Sequence, residues 1–167
     1  QIVEFCNQRE NWGIDVRCVD DGAPRGTAGA VLSVLDLLDD DFLTIYGDTM
    51  LDVDLTRFKC FHEKHNAAAT IFTHPNDHPH DSDLIETSED GIVAAFHPYP
   101  HEPVFFYPNK VSAALYYIRR QALLPWRATA TSLDFGKDLF PEMLRAGAEI
   151  RSYSSPEYIK DAGTPAR

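Results

Sequence analysis

Tyr46-Gly47-Asp48-Thr49-Met50-Leu51-Asp52-Val53-Asp54-Leu55 follows directly on the apolar run Phe42-Leu43-Thr44-Ile45. The run reads as a buried strand, and Gly47-Asp48 sets a carboxylate at its C-terminal tip. In open α/β sheets that edge is where ligands bind. The glycine lets a ligand approach the backbone. The aspartate offers a hard oxygen ligand suited to magnesium, an ion that is commonly shared with phosphates. A second tip, Tyr158-Ile159-Lys160-Asp161-Ala162-Gly163-Thr164-Pro165, lies near the other end of the chain. Asp48 and Asp161 are therefore expected to meet at one cation in a metal–phosphate site. Each tip taken alone also fits an ordinary turn, since Gly-Asp pairs often begin one. Asp54 fits the N-cap of the following helix better than a metal ligand.

Working outward, periodicity predicts alternating elements. Ile14–Val19 alternates and reads as a strand. Asp20 to Gly26 is a loop broken by Gly22, Pro24 and Gly26. Thr27 reads as the N-cap of a helix over Ala28–Leu38, with Val31, Leu32, Leu35 and Leu38 on one face. A helix from Leu55 to about His65 and a strand over Ala67–Thr73 come next. Helices alternating with strands predict a parallel sheet with crossover helices. The second half reads as short strands (Leu84–Thr87, Ile92–Phe96, Val111–Ile118) forming antiparallel or mixed sheet. A helix over Asp138–Arg145 and a strand over Glu149–Tyr153 close the pattern. No repeat, low-complexity tract or linker divides residues 1–167, which read as one domain.

Of the 167 residues, 44% are hydrophobic and 25% charged, values of a water-soluble globular chain. No apolar run approaches the roughly 20 residues that a membrane helix requires, and residues 1–12 lack the apolar segment of a signal peptide. The formal net charge of −11 argues against nucleic acid as a partner. It also requires a metal ion, or locally gathered basic residues, to accommodate a phosphorylated substrate. No basic patch is visible in the sequence. Cys6, Cys18 and Cys60 have no metal-ligand spacing and read as free thiols of a reducing, cytoplasmic compartment. The chain begins at Gln1 in what reads as the end of a helix, and is expected to be part of a longer protein.

Three further groups of residues carry candidate chemistry. Gly26-Thr27-Ala28-Gly29-Ala30 lies between a loop and a helix, where small residues let a flat ring or a phosphate reach backbone N–H groups. The same residues fit a capped helix with close packing equally well. His74, His78 and His80, with Asp77, Asp81 and Asp83 among them, raise the question of zinc. Pro75 and Pro79 break any regular presentation of those ligands, so a solvated loop is expected instead. Glu86, in a short strand after this loop, is positioned to accept hydrogen bonds from sugar hydroxyls, or simply to face solvent.

In order along the chain, Gly-Thr-Ala-Gly-Ala, a strand ending in Gly-Asp, Asp-Val-Asp-Leu and Tyr-Ile-Lys-Asp-x-Gly-Thr-Pro resemble the sugar-1-phosphate nucleotidyltransferases over residues 14–167. His78-Pro79-His80-Asp81-Ser82-Asp83-Leu84 and Asp134-Phe135-Gly136-Lys137-Asp138-Leu139-Phe140-Pro141 look most like the heptose-1-phosphate or mannose-1-phosphate guanylyltransferase branch. Some members of that branch carry a phosphatase domain downstream.

The resemblance implies a Rossmann-like α/β fold of the GT-A type: a mixed, mainly parallel sheet flanked by helices. It implies a nucleoside triphosphate (GTP by branch) and a sugar 1-phosphate as substrates, with Mg2+ held by Asp48 and Asp161. Gly26, Thr27 and Gly29 would line the base and ribose, Glu86 and Ser112 the sugar, and Thr164 the sugar phosphate. Homo-oligomers are compatible with it. Two departures stand out. The family's glycine-rich Arg-containing signature and following Lys-Pro are absent, so residues 1–167 alone are expected to be catalytically crippled. Ser112-Ala113-Ala114 stands where the family usually has Asn-Ala-Gly. These departures leave room for a non-catalytic nucleotide-sugar-binding or regulatory module of the same fold.

Overall fold

The computed structural model describes residues 2–8, 13–102, 106–128 and 132–163. Thr164, expected at the sugar phosphate, lies outside them. A short helix α1 (Ile2–Gln8) and an extended stretch precede helix α2 (Gly26–Ser33), which a single 3₁₀ turn at Leu35–Leu37 follows. Strand β1 (Asp41–Ile45) leads through the Gly-Asp tip to β2 (Thr49–Asp52), then to helix α3 (Leu55–His65) and strand β3 (Ala69–His74). Strands β4 (Leu84–Thr87), β5 (Val93–His97) and β6 (Val111–Arg119) come next, then helix α4 (Arg120–Leu123). Helix α5 (Phe140–Arg145) and strands β7 (Ile150–Ser154) and β8 (Tyr158–Asp161) complete the fold.

The main sheet runs in the order β5-β4-β6-β3-β7, with β1 also on β6. Strand β6 is antiparallel to β1, β3 and β4, whereas β3 and β7 pair in parallel. Four strands (β1, β3, β4, β7) therefore run one way while β6 and β5 run against them. The sheet is mixed, as expected, but not mainly parallel: only β3 and β7 pair in parallel. Its hydrogen-bonded neighbours are mostly antiparallel, because β6 inserts between strands that would otherwise be adjacent.

Alternate residues of the central strands feed two cores. Ala69, Ile71, Tyr116 and Ile118 pack with Leu32, Phe135, Phe140 and Met143 on the face of α2 and α5. Phe72, Ala113 and Leu115 pack with Phe58 of α3 and Ile159 of β8 on the other. This two-residue period is that of a pleated strand covered on both faces. It explains why β3 reads in sequence as a continuous apolar run.

Two expectations fail locally. Ile14–Val19 forms no strand; Ile14, Val16 and Val19 are exposed. Alternation favours extended backbone, but a strand needs a neighbour for its hydrogen bonds, and no described residue supplies one. Thr27 does not cap α2. The carbonyl of Leu133 accepts the N–H groups of Ala28 (2.9 Å) and Gly29 (3.2 Å), closing that helix end from outside.

Candidate active site

The antiparallel pair β2–β8 joins the two ends of the sequence. Thr49 lies opposite Asp161, and the Ala162 N–H donates to the Asp48 carbonyl at 2.7 Å. The two carboxylates are thereby drawn together around Gly163. A Cβ built on that glycine would stand 2.8 Å from Asp48 Oδ2 and 3.0 Å from Asp161 Oδ1. Asp161 Oδ1 also accepts the Gly163 N–H at 2.7 Å, which fixes its orientation. The space shared by the two acids is thus one that only a glycine leaves open. No third His, Cys, Asp or Glu joins them among the described residues. A pair of carboxylates suits magnesium, which keeps waters and substrate oxygens in its shell.

Asp161 forms one rim of a cleft of about 520 Å³. Its origin is in β6. The first residue of that strand pairs with β4 and its last five pair with β1 on the same side, so the two neighbours diverge along it. Ala114, with φ 54°, sits at the kink, and the register against β3 shifts there. A bulge at this point re-aims Ser112 and Ala113 into the gap.

The cleft walls come from five segments. Tyr46 extends from the end of β1, and Ser112, Ala113 and Tyr116 from β6. The loop from His74 to Asp83 forms one side, and Asp134, Gly136 and Lys137 the other, with Lys160 beside Asp161. The loop is exposed or half-exposed along its length, as expected from its prolines, and it is folded back on itself. His78 Nδ1 bonds Asp81 Oδ1 (2.9 Å), and Asn76 Nδ2 donates to Ser82 Oγ (2.8 Å). Lys160 Nζ lies 3.9 Å from Asp77 Oδ1 and ties the loop to β8. His78 serves this fold-back. Burial, with His78 and Lys160 nearby, holds the His74 imidazole below its usual pKa and hence neutral.

Behind the cleft, hydrogen bonds of Asp134 and Thr27 tie the wall together. Asp134 caps the turn at Phe135–Leu139, its Oδ1 accepting the N–H groups of Gly136 (2.8 Å) and Lys137 (3.1 Å). Its Oδ2 accepts Thr27 Oγ1–H at 2.8 Å, and Thr27 Oγ1 in turn accepts the Phe135 N–H at 3.0 Å. Tyr46 packs edge-on against Tyr116, ring centroids 5.9 Å apart, and the Tyr116 hydroxyl lies 3.3 Å from Ser112 Oγ. Burial pushes both phenols above their usual pKa, with Asp134 adding to it, so they remain protonated.

The residues expected at the site divide accordingly. Asp48 and Asp161 converge, and Ser112 lines the cleft. Gly26, Thr27 and Gly29 stand behind its wall, not on it: Gly26 (φ 71°) lies so close to the Leu133 carbonyl that any Cβ would overlap it, and Gly29 is buried. Their small size is used to seat the segment that carries Asp134. Glu86 points away. It is exposed, and its Oε2 pairs with His97 Nε2 (3.1 Å) across β4 and β5. Its strand register gives Asp83, not Glu86, to the cleft. Lys137 and Lys160 are the local cations that the sequence reading missed. They lie far apart in the chain, though each stands inside a motif already singled out.

Comparison with known proteins agrees with this geometry. A family model described as Nucleotidyl transferase matches residues 1–166. A glucose-1-phosphate adenylyltransferase of Clostridium novyi (strain NT) is 28% identical over 150 residues, 83% of this chain and 38% of that protein. A mannose-1-phosphate guanyltransferase of Candida albicans is 26% identical over 161 residues, 93% of this chain and 43% of that protein. The chain thus spans about two-fifths of the length of these curated relatives. Among solved structures, HddC from Yersinia pseudotuberculosis complexed with GMP-PN superposes with a TM-score of 0.79 at 16% identity, over 99% of this chain and 69% of that one. Sequence and fold agree that the chain belongs to the nucleotidyl transferase family.

Proposed function

We propose that this chain forms the sugar-phosphate and metal side of a magnesium-dependent sugar-1-phosphate nucleotidyltransferase. An oxygen of the sugar 1-phosphate attacks the α-phosphorus of a nucleoside triphosphate. The α–β P–O bond breaks, and pyrophosphate leaves with the electron pair. GTP is the nucleotide we favour, from the branch resemblance and from the GMP-PN complex of the structural neighbour. The sugar is of the mannose or heptose type. The observation that carries the reading is the convergence of Asp48 and Asp161 on Gly163 at the rim of a polar cleft.

Asp48 and Asp161 would hold the Mg2+, which when bound neutralises phosphate charge during transfer. The chain's own groups do the rest. Lys160 and Lys137 offset the charge of the sugar phosphate on an otherwise acidic wall. The bonds of Asp134 to Thr27, Gly136 and Lys137 hold that wall in place, and positioning is the main task of a protein in such transfers. A triphosphate carries more charge than two lysines neutralise, so residues 1–167 by themselves are expected not to turn over. The free thiols of Cys6, Cys18 and Cys60 fit the cytoplasmic setting that we infer.

The test is pyrophosphate release by the full-length protein from GTP and mannose 1-phosphate with Mg2+. Asp48→Ala and Asp161→Ala are each expected to lower kcat by about 100-fold or more. Binding of nucleotide-sugar without turnover would favour the regulatory module instead. No release with any pairing of nucleotide and sugar phosphate would overturn the reading.

A further inference from the structure

The geometry points to Asp83 as the residue that reads a ring hydroxyl of the sugar and so sets sugar selectivity. The inference rests on the proposed nucleotidyl transfer and names a specificity residue within that site.

Asp83 stands at the entry to β4, where its backbone carbonyl accepts the Ser112 N–H at 3.1 Å and ties it to the bulged start of β6. Its side chain has two distinct oxygens. Oδ1 is committed: it accepts the Tyr99 N–H at 3.0 Å, which locks the carboxylate plane. Oδ2 accepts no hydrogen bond from any described residue. It lies 3.2 Å from the position that a Cβ on Gly136 would take. Glycine at 136 therefore keeps the approach to Oδ2 open from the cleft, which both residues line.

The contrast with the neighbouring carboxylate is informative. Asp134 lies on the same wall, but both its oxygens are consumed by Thr27, Gly136 and Lys137. Asp134 holds the wall and Asp83 faces what enters. An oriented carboxylate with one oxygen facing a polar cleft is an acceptor available to any donor that enters. A sugar hydroxyl is a donor of the right kind, and a phosphate, which only accepts, is not. Asp83 consequently favours the sugar end of the substrate and repels the phosphate end, fixing which way round it lies. Because a site built to bond a hydroxyl penalises an analogue lacking it, Asp83 discriminates among sugars of similar size.

The experiment uses the full-length protein and whichever of mannose 1-phosphate or glucose 1-phosphate it turns over, with each monodeoxy analogue of that sugar. In the wild type, one analogue is expected to lose about 10- to 100-fold in kcat/KM, the scale of a hydrogen bond to a charged group. Asp83→Asn keeps an acceptor for the Tyr99 N–H and removes the charge. In that variant the parent sugar falls to the level of the same analogue, the other analogues keep their ranking, and the KM for nucleotide is unchanged. A purely structural role would depress all substrates alike and move the nucleotide KM. Effects of substitution and deoxygenation that simply multiply would overturn the inference while leaving the reaction intact. So would a wild type that treats every analogue as it treats the parent, whatever the state of the variant. A wild type inactive with every sugar phosphate instead overturns the reaction on which the inference depends.

Discussion

A Cβ at residue 163 would lie 2.8 Å from one carboxylate and 3.0 Å from the other, closer than carbon and oxygen normally approach. Both neighbours are side-chain ends, so a methyl group there would push them aside rather than unfold the chain. Gly163→Ala is therefore expected to cost about 10-fold or more in kcat, a fraction of the loss of a whole electrostatic group, with the denaturation midpoint nearly unchanged. The two measurements together decide the matter. Full activity in that variant would mean that the space between Asp48 and Asp161 is not used. Asp83 and Asp134 show the same principle: identical side chains on one wall differ in role because the backbone N–H groups around them differ.

At the level of elements, Thr27 couples α2 to the turn at Phe135–Leu139. Thr27→Val preserves shape but leaves the Phe135 N–H and one Asp134 oxygen without their partner. Such a loss is expected to cost about 1–3 kcal/mol of stability, seen as a lower denaturant midpoint at constant slope. The nucleotide KM is expected to stay close to that of the wild type. A changed nucleotide KM at unchanged stability would restore Thr27 to the nucleotide contact that its motif suggests. Strand β6 is the other decisive element, since its bulge at Ala114 separates β1 from β4 and makes a cleft where a regular strand would leave continuous sheet.

For the molecule as a whole, the most buried titratable group bridges helix and sheet. His62 on α3 is fully buried, with Nδ1 on Thr70 Oγ1 at 2.8 Å and Nε2 at 3.6 Å from Asp41 Oδ1. Burial lowers its pKa below the usual 6.5; Arg119 adds to this, and Asp41 and Glu63 oppose it without prevailing. The unfolded chain therefore takes up this proton first as pH falls, and stability declines with it. The contribution is complete above the unfolded pKa and is lost as pH drops below about 6.5 towards the lower folded value. Melting temperatures at pH 7.5 and pH 5.5 are expected to differ in the wild type and to differ less in His62→Gln, where His74, also held below its usual pKa, keeps its share. An unchanged difference in that variant would assign the slope to other groups. Among the described residues β1 pairs with β6 alone, and Ile45 at its end is exposed.

What the sequence by itself determined was local and periodic. The strand at 42–46, the helix at 55–65 with its Asp54 cap, and the short strands of the second half follow from hydrophobic period and turn chemistry, and the structure has them within a residue or two. The ordered motifs were enough to indicate the family and to pair Asp48 with Asp161. Tertiary structure alone decided which residues of each motif face the cleft. Glu86 and Asp83 sit three residues apart, and strand register turns one outward and the other in. Thr27 and Gly29 carry a ligand-like signature, yet packing against Leu133–Phe135 occupies the groups that a ligand would use. Lys160 reaches the same cleft as Lys137 because β8 returns to β2 across more than a hundred residues. Contacts of that range depend on the relative placement of whole elements, which no local pattern of residues encodes.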